Sequence, residues 1–426
     1  MKVILRNARI VSPSEGLDIV ADILIDKGII KDIRKGLATK KAIDEIDLKG
    51  KAVVPGLFDM HVHFREPGQT HKESIVTGSD AAANGGFTGV LCMPNTSPPI
   101  DNPVLLRDQL RRVSSGVVDV EYSVCASRNR SGEELSPILS LAAAGARALT
   151  DDGSPVQDTE LLRRVFEYGA QTGLPVIQHC EDLKLSNRGV MNEGFVSTVT
   201  GLRGIPSVSE TSVIARDIEI CSYVSGAHYH IQHMSCAGSV SLLRNAKERG
   251  ISVTGEACPH HFILTDSGCI DYDTNYKMNP PLRTREDVDA ILDGLSDGTI
   301  DVICTDHAPH SEHEKSQGFV DAPFGIIGLE TAFGLAYTYL VKEGILSFSQ
   351  LIEKMSVNPR KILNLERISI QPGQRANLSI LDLDAKWIVK KKNFRSRSRN
   401  TPFEGFRLTG KPFMVINNET FYHTKL

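Results

Sequence analysis

The 426-residue chain is 41% hydrophobic and 23% charged, with a formal net charge of -4. It has the balance of an ordinary globular enzyme, and it is long enough for a barrel of about 250 residues plus a second module. Near-neutral charge argues against nucleic acid or an anionic membrane surface as a partner. The opening segment interrupts its apolar run at Arg6, Asn7 and Arg9, no stretch reaches the ~18 apolar residues of a membrane helix, and the eight cysteines form no CxxC pair. A cytoplasmic protein with reduced, buried thiols is the expectation.

Residues 1–52 read as short alternating strands: VILRNARIV, ADILID, GIIKDI and AIDEIDL. From about Leu365 the same style returns in ANLSILDL, KWIVK and FMVIN. Two β ends around a different middle predict one small β-sandwich domain from residues 1–52 plus 365–426. Between them, residues 53–364 alternate apolar strand candidates with helical patterns. The strands are AVVPGLFDMHVH, TGVLCMP, EYSVCAS, ARALTDD, LPVIQHC, HYHIQHM, SVTGEACP and DVICTDHAP. Strands apolar on both faces are those of a parallel sheet covered by helices. Helices are predicted in KESIVTGSDAAANG, DTELLRRVFEYGAQTG, SETSVIARDIEICSYVSG and AGSVSLLRNAKERG, each stopping at a glycine. Eight such units predict an α/β fold, a (β/α)8 TIM barrel. The basic run KKKNFRSRSR at 390–399 reads as a solvated or active-site-distant surface segment rather than a nucleic-acid site, given the balanced net charge.

His61, His63, Asp152, His179, His233 and Asp306 all fall at the C-terminal ends of these strands, the face where barrel active sites lie. Positions 61 and 63 share a strand face. One strand histidine alone is ordinarily a hydrogen-bonded core residue. Four imidazoles and two carboxylates gathered at one barrel mouth need cations to justify their burial. The mixed N/O set without thiolate suits Zn²⁺, with Mn²⁺, Co²⁺ or Fe²⁺ as substitutes. His228 and His230 are expected to support rather than ligate, and His307 to face away from Asp306. His260 and His261 leave pocket-lining and packing roles both open.

PGLFDMHVHFREPG and TDHAPH resemble the amidohydrolase superfamily, a (β/α)8 barrel with a split β-sandwich. More narrowly, HVHFREPGQTHKE, GGFTGVLCMPNTSPPIDN, TDDGSPVQD, HCEDLKL, IQHMS, NPPLR, TDHAPH and GIIGLETA together resemble the class I dihydroorotases. The likeness runs from the first strand to SRNTPFEG. It implies two Zn²⁺ ions per subunit: His61, His63 and Asp306 on the first, His179 and His233 on the second. Many superfamily members bridge the metals with a carboxylated lysine at strand four. ALTDDGSP has none, so Asp152, with strand parity favouring it over Asp151, is the expected bridge together with a hydroxide.

The resemblance implies interconversion of dihydroorotate and N-carbamoyl-aspartate in pyrimidine synthesis. Metal-bound hydroxide would attack the ring amide, and Asp306 would carry the proton from water to the leaving nitrogen. Arg65 offers the substrate carboxylate a planar fork of donors. His63, Asn95, Asn279, His310 and backbone near Phe324 and Gly325 are the other implied contacts. SEHEKSQGFVDAPF, between His310 and Gly325, is expected to act as a lid over residues 311–324. A homodimer and an aspartate transcarbamoylase complex are the assemblies the resemblance suggests. The competing readings are a dihydropyrimidinase, hydantoinase or allantoinase on the same fold, and a noncatalytic scaffold for aspartate transcarbamoylase.

Overall fold

The computed structural model describes residues 2–38, 43–113 and 116–426. Eight parallel strands follow one another in a single sheet: Leu57–Val62, Phe87–Cys92, Asp119–Val124, Ala148–Leu149, Val176–Gln178, Tyr229–Ile231, Val253–Ala257 and Val302–Ile303. The sheet closes where Val62 bridges His307, with His63 N donating to His307 O at 2.9 Å. These are the eight predicted barrel strands. AVVPGLFDMHVH divides, however: Ala52–Pro55 joins the terminal sheet and only Leu57–Val62 enters the barrel.

Helices cover the outside, and two of the four predicted ones begin where a side chain caps their free N–H groups. Ser74 accepts from Thr77 N ahead of Ile75–Asn84, and Asp158 accepts from Leu161 N ahead of Thr159–Thr172. Val208–Tyr223 and Ala237–Glu248 supply the other two predicted helices. Leu57, Val90, Val124, Leu149 and Val176 pack outward against helical residues such as Leu162, Phe166 and Ile214. Phe58, Met60, Leu91, Met93, Ala148, Ile177 and Val302 fill the barrel interior.

The alternation of inward and outward residues decides which polar side chains reach the mouth. Ala148 points in and Leu149 out, so Asp152 faces inward and Asp151 does not. In the first strand the phase changes. Met60 lies in the interior cluster and Val62 in the outer one, with irregular register between Asp59 and Val62, and this turns His61 and His63 inward. Asp59 Oδ1 holds that kink by accepting from His61 N at 3.1 Å and Thr305 N at 3.2 Å.

Both ends of the chain share one eight-stranded sheet, in which Lys2–Ser12 pairs with Leu17–Asp26, Asp44–Asp47 and Ala52–Pro55. Val3, Leu5, Ile23, Val53, Leu378, Ile380, Met414 and Ile416 form its own buried cluster. Ala42, the first residue of the AIDEIDL candidate, lies outside the described residues. ANLSILDL and KWIVK are one strand, Asn377–Ile388, whose register shifts between Asp382 and Lys386. A strand not anticipated, Thr420–His423, pairs with Arg407–Asn417.

Candidate active site

At the C-terminal mouth lies a cavity of about 230 Å³, lined by His63, Arg65, Asn95, Asp152, Gly153, His179, His233, Asn279, Asp306, Ala308, His310, Phe324 and Gly325. It gathers every expected site residue except His61, which sits fully buried beneath. His61, His63 and Asp152 form one group of converging donor atoms, and Asp152, His179 and His233 form another. Asp152 belongs to both. Its Oδ1 lies 3.5 Å from His61 Nε2 and 3.7 Å from His233 Nε2, while Oδ2 lies 3.6 Å from His63 Nε2. Asp306 Oδ1 is 3.0 Å from His63 Nε2 and 3.6 Å from His61 Nε2.

These six side chains are at most 7% exposed, and His61 Nε2 is buried without a hydrogen-bond partner. An orphaned imidazole nitrogen aimed at two carboxylates fits a divalent cation, which would satisfy it and offset the buried charge. Burial works against ionising Asp152 and Asp306. The surrounding imidazoles, His61 and His233 for Asp152 and His63 for Asp306, nonetheless hold both carboxyls well below their usual range. Asp151 is engaged elsewhere, accepting from Ser127 N at 3.1 Å.

Three residues of the site have left-handed backbone, and His233 reaches the mouth only through it. His233 has φ 29° and Asp306 φ 48°, both left-handed, as is Arg65 at φ 52°. Tyr229 and Ile231 point outward, so simple alternation would turn His233 outward too. The left-handed turn brings it back.

Arg65 is 9% exposed and forms no ion pair among the described residues. Its Nε donates to Pro309 O at 3.2 Å and its Nη2 lies 3.3 Å from His310 Nε2. Burial lowers its pKa to about 10, still charged at neutral pH. Burial and the neighbouring guanidinium push the His310 imidazole well below its usual range. Asn95 Oδ1 meets His63 Nδ1 at 2.8 Å, and its amide reaches Asp152 Oδ2 at 3.3 Å.

Sequence reasoning missed two carboxylates. Glu256, fully buried in the seventh barrel strand, meets His61 Nδ1 at 2.6 Å and His230 Nε2 at 3.1 Å. It thereby orients His61 so that Nε2 faces Asp152. A glutamate at an inward strand position was the available signal. Glu181, two residues past His179 in the loop that follows the fifth barrel strand, meets His179 Nε2 at 3.0 Å and accepts from Asn279 Nδ2 at 2.8 Å. His230 thus supports a neighbour as expected. His228 bonds Ser252 and Thr254 instead. His307 turns away to Glu73 at 3.4 Å, and His261 Nε2 donates to Pro280 O.

The basic run keeps Lys390, Lys392 and Arg397 exposed, as expected of a solvated segment, while its main chain is tied to the barrel. Arg395 N and Ser396 N donate to Glu330, Arg397 N donates to Glu73, and Ser396 and Ser398 are buried. Asn400, just beyond, bonds the loop that carries His310.

Residues 50–239 match the family model described as Dihydro-orotase-like. The chain is 46% identical over 416 residues to the dihydroorotase of Acetivibrio thermocellus, covering 97% of each chain. It is 47% identical over 417 residues to that of Pelobacter propionicus, covering 98% of each. The chain belongs to the dihydroorotase family.

Solved structures of similar fold include the L-hydantoinase (dihydropyrimidinase) of Arthrobacter aurescens, with a TM-score of 0.88 and 26% identity over 99% of this chain and 96% of that one. The dihydropyrimidinase of Brevibacillus agri NCHU1002 superposes with a TM-score of 0.86 at 21% identity, over 100% of this chain and 95% of that one. The dihydroorotase family and these hydantoinases therefore share a barrel, and side chains in the mouth have to separate their substrates. Among the described residues no helix is long and apolar enough to cross a membrane.

Proposed function

We infer that the chain is a dihydroorotase, catalysing reversible hydrolysis of (S)-dihydroorotate to N-carbamoyl-L-aspartate. The observation that carries this reading is Arg65: a buried guanidinium that forms no ion pair among the described residues, beside His310, in the wall of the metal-ligand cavity. An unpaired buried charge is costly, and a substrate carboxylate offsets that cost. Hydantoins and dihydropyrimidines without a carboxylate would leave it unpaired. The 46–47% identity to named dihydroorotases supports the same substrate.

Two Zn²⁺ ions sharing Asp152 are the proposed cofactor, which supplies a nucleophile from water near neutral pH and polarises the scissile carbonyl. His61, His63 and Asp306 would hold one ion, and His179 and His233 the other. Asp306, kept ionised by its imidazole neighbours, accepts the proton of the attacking water and delivers it to the departing ring nitrogen. Arg65, His310 and Asn95 grip the carboxylate and fix which face of the ring meets Asp306. Asn279, its amide oriented by Glu181, is proposed to bond the ring.

A terminal β domain and a central barrel are supported by the separate cluster of the terminal sheet, with the first boundary falling after Pro55 rather than at 52/53, because Ala52–Pro55 pairs within that sheet. Eight buried, unpaired cysteines support a reducing, cytoplasmic location. Of the partners expected, the small-molecule substrate is the one the site supports.

The test is turnover of dihydroorotate, hydantoin and allantoin by zinc-replete protein, with Asp306→Asn as control. Dihydroorotate should be strongly preferred and the variant inactive. Preference for hydantoin, or full activity in the variant, would defeat the reading.

A further inference from the structure

The proposed carboxylate grip is assembled from parts far apart in the chain. Arg65 follows the first barrel strand, while His310 and Gly325 bound the loop after the eighth. The base of that loop is tied by Ala308 N donating to Ile326 O at 2.8 Å and by the bridge between His307 and Ile326. Closer to the mouth, Asn400 ties the His310 limb to the Gly325 limb. Its Nδ2 donates to Ala308 O at 3.0 Å and Gly325 O at 3.1 Å, and its Oδ1 accepts from His310 N at 3.1 Å. The side chain is 4% exposed, and its backbone carbonyl accepts from Ile327 N at 2.9 Å. An asparagine carries two N–H donors and one carbonyl acceptor, and here they meet three backbone groups of the loop.

A second clamp acts on the same turn. Lys315 Nζ, on a side chain 8% exposed, donates to Gly325 O at 3.1 Å and Pro323 O at 3.0 Å. Lys277 Nζ donates to Val320 O and Ala322 O, and Lys277 O accepts from Gly325 N at 3.0 Å. Gly325 itself has φ 117°, and a Cβ there would fall 2.6 Å from Ala308 Cβ, so the turn admits no side chain. The segment carrying Asn400 is anchored in turn by Glu330 and Glu73, which take its backbone N–H groups.

We propose that Asn400, assisted by Lys315, is a positioning residue that determines specificity for carboxylate-bearing substrates. By holding His310 N and Gly325 O opposite Arg65, beyond the point where the His307–Ile326 bridge ends, the C-terminal segment completes the geometry of the grip. The inference rests on the reading that Arg65 and His310 meet the substrate carboxylate. Asn400 touches neither that carboxylate nor the candidate metal ligands. Its loss should therefore weaken binding and leave the chemical step in place.

The test is steady-state kinetics of metal-replete wild type, Asn400→Ala, Asn400→Asp and Lys315→Met on dihydroorotate, with metal content and inhibition by orotate measured on each. Asn400→Ala should raise KM and the orotate inhibition constant roughly ten-fold, keep kcat within about three-fold and retain full metal content. Asn400→Asp should do no better, since a second acceptor would face the carbonyls of Ala308 and Gly325. Lys315→Met should shift KM in the same direction and serves as the independent arm if the Asn400 variants fail to fold. Unchanged KM in the folded variants, or a fall in kcat with constant KM, would overturn the proposal. Absence of dihydroorotate turnover in wild type would instead overturn the functional reading beneath it.

Discussion

Replacing Arg65 with methionine keeps most of the buried stem and removes only the charged fork. In the free protein that fork makes one hydrogen bond to Pro309 O and one contact with His310, and no ion pair. Little is lost there, and deleting an unpaired buried charge is neutral or stabilising. In the substrate complex the same deletion leaves a carboxylate buried without its partner. Such truncations cost about 2–5 kcal/mol, or roughly 30-fold to several thousand-fold in kcat/KM. Arg65→Met should thus lose at least ~30-fold in kcat/KM for dihydroorotate while the melting temperature of the metal-replete protein holds or rises. The assay is initial-rate kinetics paired with thermal denaturation on one preparation. A loss below about five-fold, or a large drop in melting temperature, would show that Arg65 is a structural residue and that the carboxylate binds elsewhere.

Asp152→Ala should lose the second metal on elemental analysis while Asp151→Ala retains both, because only Asp152 faces the two histidine groups; the reverse pattern would exchange their roles. Glu256→Gln should weaken metal binding about 10–100-fold in a competitive chelator titration by loosening the orientation of His61, and unchanged affinity would remove Glu256 from the site's support. Glu330 gives a pH dependence whose sign follows from burial, which lifts its carboxyl from 4.5 to about 7. The folded chain then keeps a proton that the unfolded chain releases, so this contribution is full below pH 4.5 and is lost as pH rises through about 7. Urea midpoints from about pH 5 to 8 should fall in wild type and stay flatter in Glu330→Gln; parallel slopes would contradict the assignment.

The fold and most of the site were legible because both rest on local periodicity. Apolar runs of strand length separated by capped helices announce a barrel. A histidine or aspartate at the end of five of the eight runs announces the mouth, since every parallel strand ends on the same face. Alternation chose Asp152 over Asp151 for the same reason. Where backbone departs from regular geometry, that reasoning stops. The irregular first strand that turns His61 and His63 inward, and the left-handed φ of His233 and Asp306, are stabilised by contacts such as Asp59 with His61 N and Thr305 N.

Tertiary packing alone decided what surrounds the site. Glu256 became the partner of His61 because distant strands meet inside the barrel. KKKNFRSRSR has the composition of a solvated surface, yet its backbone N–H groups point at two buried carboxylates and its serines are buried. Composition describes side chains, and in this segment the binding is done largely by the main chain. Chain order therefore determined which chemistry is present, and long-range packing determined which residues hold it in place, because hydrogen bonds between segments far apart in the chain leave no periodic trace along it.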